Sequence, residues 1–143
     1  MTVSVIDMNP IEIGRLIYSQ EHVNLSDKDK QTFDRCLSES HIIRAGFVNN
    51  NVVCCWGLIP PTIISDTAYL WLYCTDKLKD NKFLFIRRSQ IEIKKMLSQY
   101  CYIIGHVAVG NDLAINWLKW LGASISVHSS NGYYDFTMEA KHG

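Results

Sequence analysis

No charge of either sign predominates in these 143 residues: fourteen Lys and Arg balance fourteen Asp and Glu. A neutral chain lacks the global field that draws a protein to nucleic acid or to an anionic membrane, so binding of that kind would need a local basic patch. Long apolar runs are missing too, each being broken well before the roughly 18 residues of a membrane-spanning helix. The opening MTVSVIDMNP has no basic leader followed by an apolar core, which argues against a secretory signal. None of the five cysteines, Cys36, Cys54, Cys55, Cys74 and Cys101, forms a C-x-x-C pair. Most lie in apolar strand-like sequence, so buried reduced thiols are expected and a metal site is not. No G-x-S-x-G elbow supports Ser-His-Asp catalysis. Repeats and low-complexity tracts are absent, and the length suits one domain over residues 1–143.

What is present is periodicity. Apolar, aromatic and Cys residues make up 48% of the chain and charged residues 20%, the balance of a globular protein. Residues 2–6 read as a short strand. Asn9-Pro10 then starts a helix in which Ile13, Leu16 and Ile17 recur at helical spacing. A second helix begins at Leu25-Ser26, with Ser26 and Asp29 placed as a capping box and Phe33, Cys36 and Leu37 on one side.

From His41 the period becomes extended. Residues 42–48 and 52–58 flank Asn49-Asn50-Asn51, a hairpin turn because Asn tolerates positive φ. Pro60-Pro61 stops the second strand. Residues 68–74, AYLWLYC, form a third β-prone run expected to be buried on both faces. The polar loop DKLKDNK leads into a helix whose expected core stripe is Phe83, Ile86, Ile93 and Leu97, interrupted by Gln90.

The best-signalled stretch is residues 105–122, GHVAVGNDLAINWLKWLG. A strand with Val107 and Val109 on one face turns at Gly110-Asn111. An amphipathic helix follows from Asp112 to Leu121, striped by Leu113, Ala114, Trp117, Leu118 and Leu121, and Gly122 ends it. Asn111 is placed to cap that helix. Trp117 follows the buried stripe, and Trp120 lies off its centre, toward a partner. A hairpin of residues 124–128 and 133–138 around Ser129-Ser130-Asn131-Gly132 closes the chain.

The resulting order, β-α-α-β-β-β-α-β-α-β-β, resembles the GNAT N-acetyltransferase fold over almost the whole chain, an α/β (α+β) fold with a mixed, mostly antiparallel sheet flanked by helices. Val107, Asn111, Ala114 and Gly122 also match the family's V-x-x-x-N-x-x-A-x7-G pattern in register. From Trp71 to Thr137, the segments WLYCTD, KKML, YIIGHVAVGN and WLKWLGA are similar to small internal virion proteins of short-tailed bacteriophages, which resemble degenerate GNAT domains. That second resemblance implies a component of the particle or its assembly, with other virion proteins as partners, found in the virion or the host cytoplasm.

The GNAT resemblance implies acetyl-CoA as the candidate cofactor, with no metal. In active members a Q/R-x-x-G-x-G/A loop presents backbone N–H groups to the CoA pyrophosphate at a helix N-terminus. The equivalent residues here, Thr75 to Lys82, contain no glycine, and the resemblance leaves Cys74, Thr75, Lys77, Lys79 and Lys82 as the candidate contacts, the lysines acting as point charges. Asn111 matches the asparagine that touches the pantetheine arm. The family's proton donor, a tyrosine seven residues after that asparagine, is replaced by Leu118, which cannot donate a proton. Tyr73, Tyr102 and His106 are the titratable side chains on neighbouring strands; His106 and Tyr73 are the catalytic candidates, with neutral His106 suited to take a proton from an amine.

Arg87-Arg88 and Lys94-Lys95 fall near one helix face and, with Lys82, form a basic stripe interrupted by Glu92. With no interleaved aromatic residue of the kind single-strand binders use, nucleic acid is the disfavoured partner. Three functions therefore stand open: a virion component with a degenerate acyl-CoA site, an active acetyltransferase on a protein or small amine, and, less favoured, a nucleic-acid binder.

Overall fold

Asn9 and Pro10 start the first helix as expected. The Glu12 N–H donates to Asn9 Oδ1 at 2.9 Å, and proline occupies the first turn, where its missing N–H leaves nothing unpaired. In the computed structural model, which describes residues 3–19, 27–60 and 66–140, the elements follow in the expected order. They are β1 (Val3–Asp7), α1 (Pro10–Tyr18), α2 (Asp27–Glu39), β2 (Ile42–Val48), β3 (Asn51–Ile59), β4 (Thr67–Cys74), a 3-10 segment (Asp76–Asn81), α3 (Lys82–Gln99), β5 (Tyr102–Ala108), α4 (Asp112–Trp120), β6 (Ser124–Ile125) and β7 (Tyr133–Glu139). The capping box of Ser26 with Asp29, the helix start at Leu25, and the expectations at Thr2 and Pro61 lie outside the described residues and side chains.

The strands are hydrogen-bonded in the order β1-β2-β3-β4-β5-β7-β6. β4 and β5 pair in parallel, whereas β1 with β2, β2 with β3, β5 with β7 and β6 with β7 are antiparallel. This is the mixed, mostly antiparallel sheet that the element order implied. The chain divides into two compact units, one of Met1–Ile59 with Trp71–Lys82, the other of Pro60–Leu70 with Phe83–Gly143.

In the first unit the β2–β3 turn uses Asn49 and Asn50 at φ of 50° and 67°, conformations that asparagine tolerates better than most residues. Ile13 and Ile17 of α1 and Phe33 and Leu37 of α2 are buried. The strand buried almost end to end is β3, from Val52 to Leu58. On β4 only Ala68, Leu70 and Trp71 are buried, while Tyr69, Leu72, Tyr73 and Cys74 are half-buried. The expectation of a β4 covered on both faces is thus corrected. An apolar run signals burial without saying which of two neighbouring strands is fully covered.

In the second unit Ile103 and Val107 of β5, Phe136 and Met138 of β7, Leu118 of α4, and Ile93 and Met96 of α3 are buried. The expected α3 stripe is rotated. Phe83 is 88% exposed, and the buried face runs through Ser89, Glu92, Ile93 and Met96. Polar pairing explains this. Ser89 Oγ accepts the Trp117 indole N–H at 2.9 Å and donates to the Ile86 carbonyl at 2.8 Å. Glu92 is held by Arg88 at 3.2 Å and Lys95 at 3.9 Å. Polar groups with partners can be buried, which hydropathy along one helix does not reveal. Leu113 and Val109 are exposed, the latter beyond the end of β5. The final hairpin is short: β6 contributes two residue pairs to β7, whereas β5 contributes seven.

Candidate functional site

β4 and β5 pair over only three residue pairs, Thr67–Tyr102, Ala68–Ile103 and Tyr69–Ile104. Both strands continue, to Cys74 and Ala108, but the paired register ends at Tyr69 and Ile104. Gly105 follows directly. A Cβ at that position would lie 2.6 Å from the Leu70 carbonyl oxygen and 2.5 Å from Phe136 Cε2, so only glycine lets the backbone approach there.

One residue further, His106 points to the exposed face of β5. Its cross-strand partner on β7 is Asp135, and His106 Nδ1 lies 2.7 Å from Asp135 Oδ1. A carboxylate only accepts, so Nδ1 carries the hydrogen, and Nε2 is the ring nitrogen that faces away from that bond. The imidazole lies between two tyrosines, with ring centroids 5.5 Å from Tyr69 and 6.5 Å from Tyr133. It is half exposed, open to a solute on that side. A base oriented by a carboxylate is the arrangement general-base catalysis uses. Asp135 was not foreseen. Its position follows from the antiparallel register of β5 with β7, whereas residues 133–138 were expected to pair with residues 124–128.

Asn111 lies in the same unit and caps α4, its Oδ1 accepting the Ala114 N–H at 3.3 Å. The residue is exposed. Leu118, where the GNAT resemblance calls for a proton donor, is 2% exposed and part of the core. Tyr102 is 41% exposed on the face that carries His106.

The remaining candidates lie in the other unit along one continuous segment. Tyr73 is half-buried with its ring 5.7 Å from Phe33. Burial pushes the Cys74 thiol up to about 12, so it stays protonated at neutral pH and is a poor nucleophile. Cys54 and Cys55 are shifted upward too, by burial first and by neighbouring thiols second. Thr75 ties the segment to β3: its N–H donates to the Val53 carbonyl at 2.8 Å and its hydroxyl to the Val52 carbonyl at 2.7 Å.

Residues expected to form an open loop are wound instead into the 3-10 segment. The Lys77 N–H donates to Thr75 Oγ1 at 3.3 Å, the Leu78 N–H to the Thr75 carbonyl at 3.1 Å, and Asn81 Nδ2 to the Lys77 carbonyl at 2.9 Å. Backbone donors that a phosphate-gripping loop would present to its ligand are thereby occupied within the segment. Lys77, Lys79 and Lys82 are exposed. Their ammonium groups are what the segment offers an anion.

Among the described residues, no group of three or more His, Cys, Asp and Glu is arranged to hold a metal ion, and no helix is long and apolar enough to cross a membrane.

No protein-family model matches the chain, and no curated protein matches it in sequence. Solved structures do match. The chain is similar to a GNAT-family acetyltransferase from Streptococcus pneumoniae at 10% identity and a TM-score of 0.64, covering 98% of this chain and all of that one. It is similar to an aminoglycoside N(6')-acetyltransferase from Legionella pneumophila at 14% identity and a TM-score of 0.69, covering 96% and 92% of the two chains. A Bacillus subtilis acetyltransferase solved in complex with CoA matches at 11% identity and a TM-score of 0.66, covering 96% and 97%. Identities this low carry the architecture alone, and that architecture is the GNAT fold.

Proposed function

We propose that this GNAT-fold chain works through protein contacts as a component of a bacteriophage particle or its assembly, with an acyl-CoA site that has degenerated. The carrying observation is the Thr75-anchored 3-10 segment, in which the Lys77 and Leu78 N–H groups already have partners. A pyrophosphate taking those two donors would have to break the Lys77 N–H bond to Thr75 Oγ1 and the Leu78 N–H bond to the Thr75 carbonyl. Leu118 in the core supports the same reading, since the family's leaving-group acid has no counterpart at that position. The resemblance over Trp71–Thr137 to internal virion proteins supports the particle role, with the virion or the host cytoplasm as the proposed location. Mass analysis of purified particles tests this role, which requires the chain to co-purify in fixed proportion to capsid protein. Calorimetry with acetyl-CoA tests the loss of the site.

A second reading is favoured by His106 and Asp135: an acetyl-CoA-dependent N-acetyltransferase on a protein or small amine. The Bacillus subtilis relative solved with CoA supports acyl-CoA as the ligand. Here the acceptor nitrogen forms a bond to the acyl carbon, the carbon–sulfur bond breaks, and CoA leaves as thiolate. His106 Nε2 takes the proton from the acceptor nitrogen and Asp135 stabilises the imidazolium. Tyr73 is the further candidate to protonate the thiolate, and Cys74, Thr75, Lys77, Lys79, Lys82 and Asn111 are the proposed contacts for the cofactor. Turnover of acetyl-CoA with amine acceptors, lost on His106→Ala, would establish it.

A further inference from the structure

The longest helix carries a face that the fold does not use. On α3, Phe83, Arg87, Ile91 and Lys94 fall within one side of the helical wheel, opposite the buried Ser89, Glu92 and Met96. Phe83 is 88% and Ile91 45% exposed, and Arg87 and Lys94 are exposed beside them. The helix has five cationic side chains against the single carboxylate of Glu92, which is buried against Arg88 and Lys95. Its outward face is therefore apolar and cationic.

The exposed face of β5 and β7 has the opposite character. Register puts Tyr102 beside Glu139, Ile104 beside Thr137 and His106 beside Asp135, all on one side. Tyr102, Ile104 and Tyr133 are 41%, 38% and 43% exposed. β5, β6 and β7 contain two carboxylates, Asp135 and Glu139, and no Lys or Arg.

We infer that these two faces recognise each other between copies: the outward face of α3 in one chain docks on the β5–β7 face of the next. Charge complementarity and exposed apolar groups on both sides carry the inference. A chain of zero net charge with such opposed faces neutralises them by repeating itself. Nucleic acid would pair with Arg87 and Lys94 but would give Ile91 no apolar partner and leave the acidic face unmatched. Because the two faces differ, the contact is head-to-tail and repeats into a filament or closes into a ring. The inference goes beyond the function proposed above and does not depend on it, since acetyl-CoA binding and self-association are read separately.

The experiment is sedimentation of the full chain at low and high salt, up to about 100 µM, where weak contacts register. The expected result is a mass that rises with concentration at low salt and falls toward one chain as salt screens the contact. Arg87→Glu with Lys94→Glu, and separately Asp135→Lys with Glu139→Lys, should each give monomers. An equimolar mixture of the two variants should associate again, because the acidic sheet face of the first meets the cationic helix face of the second, and the reversed helix face of the first meets the reversed sheet face of the second. Phe83→Ala, which changes no charge, should weaken association several-fold. All five positions are exposed, and circular dichroism checks that each variant folds. A wild-type chain that stays monomeric at low salt, a variant that associates like wild type, or a mixture that stays monomeric overturns the inference. Binding to a single-stranded oligonucleotide without self-association overturns it in favour of nucleic acid.

Discussion

His106 and Asp135 face each other across two antiparallel strands, Nδ1 to Oδ1 at 2.7 Å, one residue beyond the closest approach of Gly105 to Leu70. The contact fixes which imidazole nitrogen carries the hydrogen. Nitrogen chemical shifts of His106 near neutral pH should show an Nδ1–H tautomer, and Asp135→Asn should shift the ring toward the tautomer mixture of a free imidazole. An unchanged spectrum would mean that the carboxylate does not orient the ring in solution.

Gly105→Ala should destabilise the fold. Its methyl would overlap the Leu70 carbonyl and the Phe136 ring, and overpacking of this kind costs about 1–3 kcal/mol. Thermal unfolding should fall by several degrees, and a change within error would refute the close approach.

Asn111 separates capping from ligand contact. Asn111→Ala removes the acceptor for the Ala114 N–H and should cost about 1 kcal/mol in denaturant unfolding. Asn111→Asp keeps an oxygen in that place and should be nearly neutral. Equal losses for both variants would show that the side chain acts through something other than the cap.

Thiols wholly or partly withdrawn from water set an alkaline limit on stability. Folded Cys74 holds its proton to about 12 rather than 9.0, and Cys54 and Cys55 are raised in the same direction. Between those values the folded chain binds more protons than the unfolded one, so stability is intact below about pH 9 and falls as pH rises beyond it. Cys74→Ser should flatten that fall. At pH 8 the native chain should also protect the buried Cys54 and Cys55 from alkylation, in contrast to the same chain in denaturant.

The fold was largely legible because its signals are local. Asn9-Pro10, Asn49-Asn50 and Asn111 act within a turn of their own position, and the element order follows from them. What was not legible depends on partners distant in sequence. Ser89 is buried with a partner 28 residues on, the Trp117 indole N–H, while Phe83 lies on an exposed face of the same helix. Asp135 meets His106 only once β7 is known to lie along β5 rather than chiefly along β6. In the candidate site, the missing glycines between Thr75 and Lys82 were visible in the sequence. The winding of those residues into a 3-10 turn tied to Val52 and Val53 was not, because it depends on β3 carbonyls more than twenty residues away.

Isothermal calorimetry of the chain with acetyl-CoA tests the central claim most directly. With the Lys77 and Leu78 N–H groups held in the Thr75 turn, no saturable heat is expected up to millimolar ligand, where binding free energy is only about −4 kcal/mol. Saturable binding in the range of about 1–10 µM, weakened by Asn111→Asp, would contradict the account and establish a working acyl-CoA site.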